Sequence, residues 1–227
     1  MKANRTLFRH FGVLLLAVLL TYLFLLVHGK WVPMHRWNRA FADASLILLA
    51  VTMSLGPAVR LWNRLSWIIP WRREFGIYAV LFGTVHAYII FDGWIQWELP
   101  RIIGLLVHPN LGRYVMAEHG FGLANALGLV ALGYGAVLVT ISNEYAVRRL
   151  GASVWKFIQL GAYVLWMVVL LHTAYFLFMH FLHFHRPLPD PNPLQWPFVG
   201  LVLCVIALQS AATLKTWRDR RRQNARS

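Results

Sequence analysis

Long runs of apolar residues without charges recur along the chain and constrain its fold more than any other feature. Each run is close to the roughly 20 residues that an α-helix needs to cross a bilayer. Of the 227 residues, 59% are hydrophobic and only 13% are charged, which is about half the charged fraction of average soluble domains. The sequence therefore predicts an all-α integral membrane protein.

Six segments are long and apolar enough to be membrane-spanning helices. The first follows basic residues, as in a secretory signal, but lacks a small-residue cleavage motif, so we interpret it as a span. We expect a single domain over residues 1–227, in which Asp43 caps the second helix. The predicted transmembrane helices are residues 11–28, 41–59, 74–91, 121–141, 155–179 and 197–214.

Basic residues are distributed unequally between the two sides of this predicted bundle. With the N-terminus inside, 16 of the 22 Lys and Arg residues fall on the inner side and 6 on the outer side. Because cytoplasmic loops are enriched in Lys and Arg, we expect both termini in the cytoplasm. The net charge of +14 then reflects topology and a basic tail near anionic lipid, and no nucleic-acid partner is expected.

Cys204 is the one cysteine in the sequence. A single cysteine excludes an intrachain disulfide, a cysteine-ligated iron–sulfur cluster and covalent attachment of haem through a Cys-x-x-Cys-His motif. Any redox cofactor must therefore be held without covalent attachment, or by other ligands.

Two histidines stand inside apolar segments, His86 in "YAVLFGTVHAYIIF" and His172 in "WMVVLLHTAYFLF". At 1.5 Å per residue they lie about 18 and about 25 Å from the inner ends of their spans, in the outer half of the membrane. Intramembrane ionisable groups are costly and usually functional. A zinc site usually needs more protein ligands than two, whereas haem iron needs only two axial ones. The two residues therefore favour one bis-histidine haem b.

The helical face that carries His86 is otherwise made of small residues. Gly76, Ala79, Gly83 and His86 follow one another at steps of 3, 4 and 3 residues, which places them on one side of the helix. Such residues let a cofactor approach closely, so Gly76 and Gly83 are candidate cofactor-binding residues. Ordinary close packing of membrane helices also explains them.

Further histidines lie near the outer face. His180 and His183 come at the end of span five, and His183 follows His172 by 11 residues, on nearly the same helical face. His183 is the main rival ligand, although we expect it nearer the membrane surface. The outer histidines also allow a peripheral metal site or plain interfacial positions.

Two stretches carry a resemblance to a known family. In "RREFGIYAVLFGTVH" the residues Arg73, Gly76 and His86, and in "WKFIQLGAYVLWMVVLLH" the residues Trp155 and His172, fall at matching spacings. The chain resembles the ferric reductase-like transmembrane family, and in particular its short bacterial branch, the haem-binding membrane subunits of periplasmic methionine sulfoxide reductase systems.

This resemblance implies a multi-pass cytochrome b of the bacterial inner membrane, an electron-transfer subunit of an oxidoreductase system rather than a complete enzyme. It implies electron donation by a quinol or a flavoprotein and a periplasmic oxidoreductase as acceptor. Larger members hold a second haem nearer the inside, where this chain has Arg72 or Arg73 and Gln159. These are not usual haem ligands, so we expect one haem. An FMN or quinone near Arg73 and Gln159 is a further implication of the family.

Two other functions stay open. A ferric or other metal reductase component would use the same haem together with the outer histidines. A haem-free transporter subunit or assembly factor would show no haem spectrum after purification. The sequence has no Gly-rich phosphate-binding motif, nucleophile triad or paired catalytic carboxylates.

Overall fold

The computed structural model describes residues 2–116, 120–180 and 192–225. Six helices in this part of the chain are long and apolar enough to cross a membrane. The six-helix transmembrane fold is thereby confirmed, while the orientation of its termini stays a prediction. The six candidate spans are Asn4–Val27, Pro33–Leu61, Asn63–Ile95, Phe121–Thr140, Ala152–Met179 and Gln195–Asn224.

The described residues form nine α-helices and one short hairpin. The helices are α1 (Lys2–Val27), α2 (Pro33–Leu61), α3 (Arg72–Ile90), α4 (Leu99–Ile102), α5 (Phe121–Thr140), α6 (Glu144–Leu150), α7 (Ala152–Gln159), α8 (Gly161–Ala174) and α9 (Gln195–Asn224). A 3-10 helix, Asn63–Trp71, leads into α3, and π-helical turns at Phe91–Ile95 and Tyr175–Met179 extend α3 and α8. Strands β1 (Leu105–Val107) and β2 (Tyr114–Met116) pair antiparallel.

Helix α2 begins earlier than the apolar pattern predicts. It starts at Pro33 rather than at residue 41, because proline suits the first helical position, where its missing N–H would have no partner anyway. Its first turns are polar and yet belong to the bundle, since Asn38 is buried. Asp43 therefore lies inside the helix, and the prediction that it caps the second span is wrong.

Helix α2 is the centre of the bundle, in contact with α1, α3, α8 and α9. Its residues Ala40, Ala44 and Leu48 are each 0% exposed, and their spacing of four puts them on one face. Small residues on that face let neighbouring backbones approach closely. Helix α5 packs on the other side against α3 and α8. This arrangement turns one face of α3 and one of α8 towards a common interior.

A buried ion pair joins α1 to α3. Arg9 Nε donates to Glu74 Oε1 at 3.0 Å, and Glu74 is 0% exposed. Glu74 also lies in the first turn of α3, where the helix dipole favours a negative charge. The guanidinium of Arg9 is thus the main compensation for a carboxylate that is shielded from water.

Replacing Arg9 by methionine should destabilise the protein by about 3 kcal/mol, because it leaves a buried charge without its partner. Unfolding in detergent, followed by circular dichroism, measures the loss. The double variant Arg9→Met/Glu74→Leu is the control, since it removes both charges and should regain most of the stability. A double variant as unstable as the single one would contradict this account.

Candidate functional site

A cavity of about 380 Å³ lies among α2, α3, α5 and α8. This volume is within the range of roughly 300–1,000 Å³ that is typical of small-molecule sites. We call the end of the bundle that holds it, together with the α1–α2 turn, the cavity end, and the opposite end, with Asn63–Trp71, α6 and α7, the basic end. The predicted orientation turns the cavity end outwards. Most of the wall is apolar and includes Leu46, Leu49, Val80, Leu129, Leu132 and Val169.

His86 on α3 and His172 on α8 face each other in this cavity. Their ring centroids are 6.2 Å apart and their planes are 80° to one another. His86 Nδ1 bonds to the backbone carbonyl of Asn38 at 3.2 Å, and His172 Nδ1 bonds to that of Ala124 at 2.7 Å. Each imidazole is therefore oriented by a neighbouring helix, α2 in one case and α5 in the other.

These two hydrogen bonds decide which ring nitrogen of each histidine carries the proton. A carbonyl oxygen can only accept, so each Nδ1 must be the donor, and Nε2 of the neutral ring keeps its lone pair. Metal-ligating histidines commonly donate their other N–H to a backbone carbonyl in the same way. The arrangement therefore leaves two neutral Nε2 atoms available as ligands.

Glycines at the site lie where a larger residue would meet a neighbouring side chain, and Gly128 leaves room for the ring of His172. A Cβ added at Gly128 would lie 2.9 Å from Cε1 of His172, and one at Gly83 would lie 3.3 Å from Oγ of Ser45. Gly83 lines the cavity. Gly128 was not among the predicted site residues, but it follows Ala124 by one helical turn, so glycine and carbonyl face the same ring. Gly76 does not line the cavity and packs instead against Thr52, whose Cγ2 would be 3.5 Å from an added Cβ.

The other predicted site residues are distributed between the two ends. His180 lines the cavity, and its ring lies 5.8 Å from that of Phe121. Arg73 is exposed at the basic end, where Gln159 Nε2 bonds to Ser142 Oγ at 3.4 Å. Neither of the two lines the cavity. His183, the rival ligand, lies outside the described residues.

A second polar pair in the cavity wall was missed by sequence reasoning. His28 Nε2 and Asp43 Oδ2 are 2.6 Å apart, and both residues line the cavity. Arg39, one turn before Asp43 on α2, also lines it and stacks over Trp31 at 3.9 Å. The sequence signal that could have indicated this pair was Asp43, an acidic residue within an apolar predicted span.

The histidines offer only two protein ligands to a metal. Within residues 2–116, 120–180 and 192–225, no group of three or more His, Cys, Asp or Glu residues is arranged to hold a metal ion. Two neutral imidazoles suit a metal whose remaining ligands come from a macrocycle. Asn38 adds a polar atom beside the site, since its Oδ1 is buried with no hydrogen-bond partner among the described residues.

Comparison with known proteins agrees with this architecture. The model of the family described as ferric reductase like transmembrane component matches residues 39–170, which contain His86 and end two residues before His172. The chain is 27% identical over 145 residues to the protein-methionine-sulfoxide reductase heme-binding subunit MsrQ of Ralstonia nicotianae (strain ATCC BAA-1114 / GMI1000), covering 62% of this chain and 58% of that protein. The chain thus spans well under two thirds of that relative. Because the family model matches more than half of the chain, the protein belongs to the ferric reductase-like transmembrane family.

Proposed function

We propose that this protein is a membrane cytochrome that holds one haem b between His86 and His172 and transfers electrons through it. The observation that carries the proposal is the facing imidazoles, 6.2 Å apart between ring centroids, with both Nδ1 atoms bonded to backbone carbonyls. The name of the relative, a heme-binding subunit, supports the same cofactor.

The spacing of the rings fits one iron between them. On each side of a shared metal, a metal–nitrogen distance of about 2 Å and roughly 1 Å from the nitrogen to its ring centre add up to about 3 Å. The two centroids would therefore be about 6 Å apart. The 6.2 Å found here agrees with this value. The fixed tautomers direct the lone pairs of the Nε2 atoms to a ligand, and the apolar wall suits the body of a porphyrin.

Bound haem would supply a one-electron iron couple, whose potential depends on its axial ligands, their hydrogen bonds and burial. The roles of this chain follow from its own contacts. The carbonyls of Asn38 and Ala124 hold the imidazole planes. Gly128 leaves room for the ring of His172, Gly83 lines the cavity, and the bundle limits the access of water. Arg39, at the cavity wall, places a permanent positive charge near any acidic group of the ligand.

The direction of transfer follows from the predicted topology. With both termini in the cytoplasm of a bacterium, the cavity end faces the periplasm, which suits a periplasmic oxidoreductase as acceptor. A membrane quinol or a flavoprotein is the proposed donor. We propose that residues 1–227 form a single ferric reductase-like transmembrane domain. Arg73 and Gln159 lie at the basic end and do not line the cavity, and an FMN or quinone near them stays a prediction.

Single substitutions His86→Ala and His172→Ala should each lower the haem content at least about tenfold, because each removes one axial ligand. The measurement is the reduced-minus-oxidised absorption spectrum of protein purified in detergent. His108→Ala is a matched control, since His108 lies outside the cavity and bonds within the 108–112 turn. Wild-type spectra from both ligand variants would refute bis-histidine ligation.

Gly128→Ala tests the support of His172. The added Cβ would lie 2.9 Å from the ring, so the imidazole must turn away from the carbonyl of Ala124. We expect haem affinity to fall by about 10–100-fold, the usual effect of losing a group that orients a ligand, as measured by haemin titration of the apoprotein. Gly133→Ala, on the same helix with no described atom within 4 Å of the added Cβ, should bind haem normally. Equal affinities in both variants would contradict the proposed role.

The orientation can be tested by single-cysteine labelling in intact cells. In a Cys204→Ser background, Leu111→Cys, in the segment at the cavity end, should react with a membrane-impermeant maleimide. Gln223→Cys, exposed near the end of α9, should react only after the cells are permeabilised, because the basic tail is expected inside. The reverse pattern would overturn both the topology and the periplasmic acceptor.

A further inference from the structure

The His28–Asp43 pair is an ionisable group placed in the wall of the cofactor cavity. Nε2 of His28 lies 2.6 Å from Oδ2 of Asp43. The His28 side chain is 4% exposed, whereas that of Asp43 keeps 21% of its surface accessible. Because Asp43 lines the cavity, its accessible surface faces the space that a cofactor would fill.

This pair is close to the ligand site without touching it. Asp43 follows Asn38, whose carbonyl binds His86, by five residues. Five residues of helix rise about 7.5 Å, so the carboxylate is on the order of 10 Å from the imidazole of His86. The hydrogen bonds and ring contacts of the two imidazoles go to Asn38, Ala124, Phe176 and each other.

The ionisable groups around the cavity differ in whether they can change protonation state. Arg39, which interacts electrostatically with Asp43, stays protonated at all relevant pH values. His86 and His172 already use their Nδ1 protons. The remaining candidates are His35, whose ring lies 5.8 Å from that of Trp94, and His180. Among the described residues, the ionisable members of the wall are His28, His35, Arg39, Asp43, His86, His172 and His180.

We propose that the His28–Asp43 pair is the proton-accepting site of the cavity, whose uptake of a proton from water is coupled to the arrival of an electron at the His86–His172 centre. The inference rests on the proposed function. The electron comes from an external donor of the quinol or reduced-flavin class, and the proton comes from the aqueous phase at the cavity end. Electron transfer to the acceptor releases that proton again. This uptake offsets part of the negative charge that reduction adds to the cavity.

The separation sets the expected size of the coupling. At an effective dielectric constant of about 20, a unit charge at about 10 Å changes a proton affinity by roughly tenfold. Reduction adds negative charge and raises the proton affinity of the pair, so a higher pH opposes reduction. The midpoint potential should therefore fall as the pH rises, by a total of about 59 mV for a tenfold coupling of one electron.

The test is a spectroelectrochemical titration of the full-length, haem-loaded protein between about pH 5 and about pH 8, where histidine and coupled carboxylates titrate. The wild type should show the falling potential, and Asp43→Asn, which is nearly isosteric, should abolish it. His35→Gln and His180→Gln are the matched controls and should keep the pH dependence. An unchanged pH dependence in Asp43→Asn, or its loss in a control variant, would overturn the assignment.

Proton uptake by the wild type provides a second test that needs no variant. Electrochemical reduction through a viologen mediator, which carries electrons but no protons, should be accompanied by uptake of protons from weak buffer, recorded with a pH electrode at a pH within the window of the falling potential. Haem that is reduced without any proton uptake would overturn this inference alone. Protein that binds no haem would overturn the proposed function, and this inference with it.

Discussion

The site depends on two backbone carbonyl groups that accept a second hydrogen bond. Inside a membrane nearly every backbone group must be satisfied within its own helix, yet a carbonyl oxygen has two lone pairs and can accept once more. Asn38 and Ala124 use this capacity to bind the Nδ1 atoms of His86 and His172. The packing of α2 on α3 and of α5 on α8 thereby determines the tautomer and direction of each imidazole. A cofactor would then meet ligands that are already oriented.

Much of this fold was predictable because hydrocarbon imposes a length and a composition on each span. The six helices and the common interior position of the two histidines follow from those rules. The start of α2 at Pro33 did not follow, because its first turns carry His35, Arg36 and Arg39, which a search for apolar runs rejects. His35 and Arg39 line the polar part of the cavity wall, and Arg36 bonds to the backbone of α1, so these polar turns belong to the inside of the bundle.

The parts of the site that sequence reasoning missed have a common physical cause. Backbone acceptors such as the carbonyl of Ala124 carry no signature in a sequence, and a glycine such as Gly128 shows its role only once a ring is seen beside it. The His28–Asp43 pair joins the α1–α2 turn to α2 through a contact that no helical periodicity encodes. Gly76, in contrast, shared the face of His86 but serves the packing of α3 on α2. The helical face on which a residue lies therefore does not show whether that residue contacts a cofactor or a neighbouring helix.

The central claim is the proposal that His86 and His172 together would hold one haem iron, and electron paramagnetic resonance of the oxidised, full-length protein tests it most directly. Two strong nitrogen ligands produce low-spin iron, and ring planes 80° apart should produce the highly anisotropic low-spin signal of nearly perpendicular axial imidazoles. A high-spin ferric signal, which requires that one axial position be open or taken by water, would contradict the account.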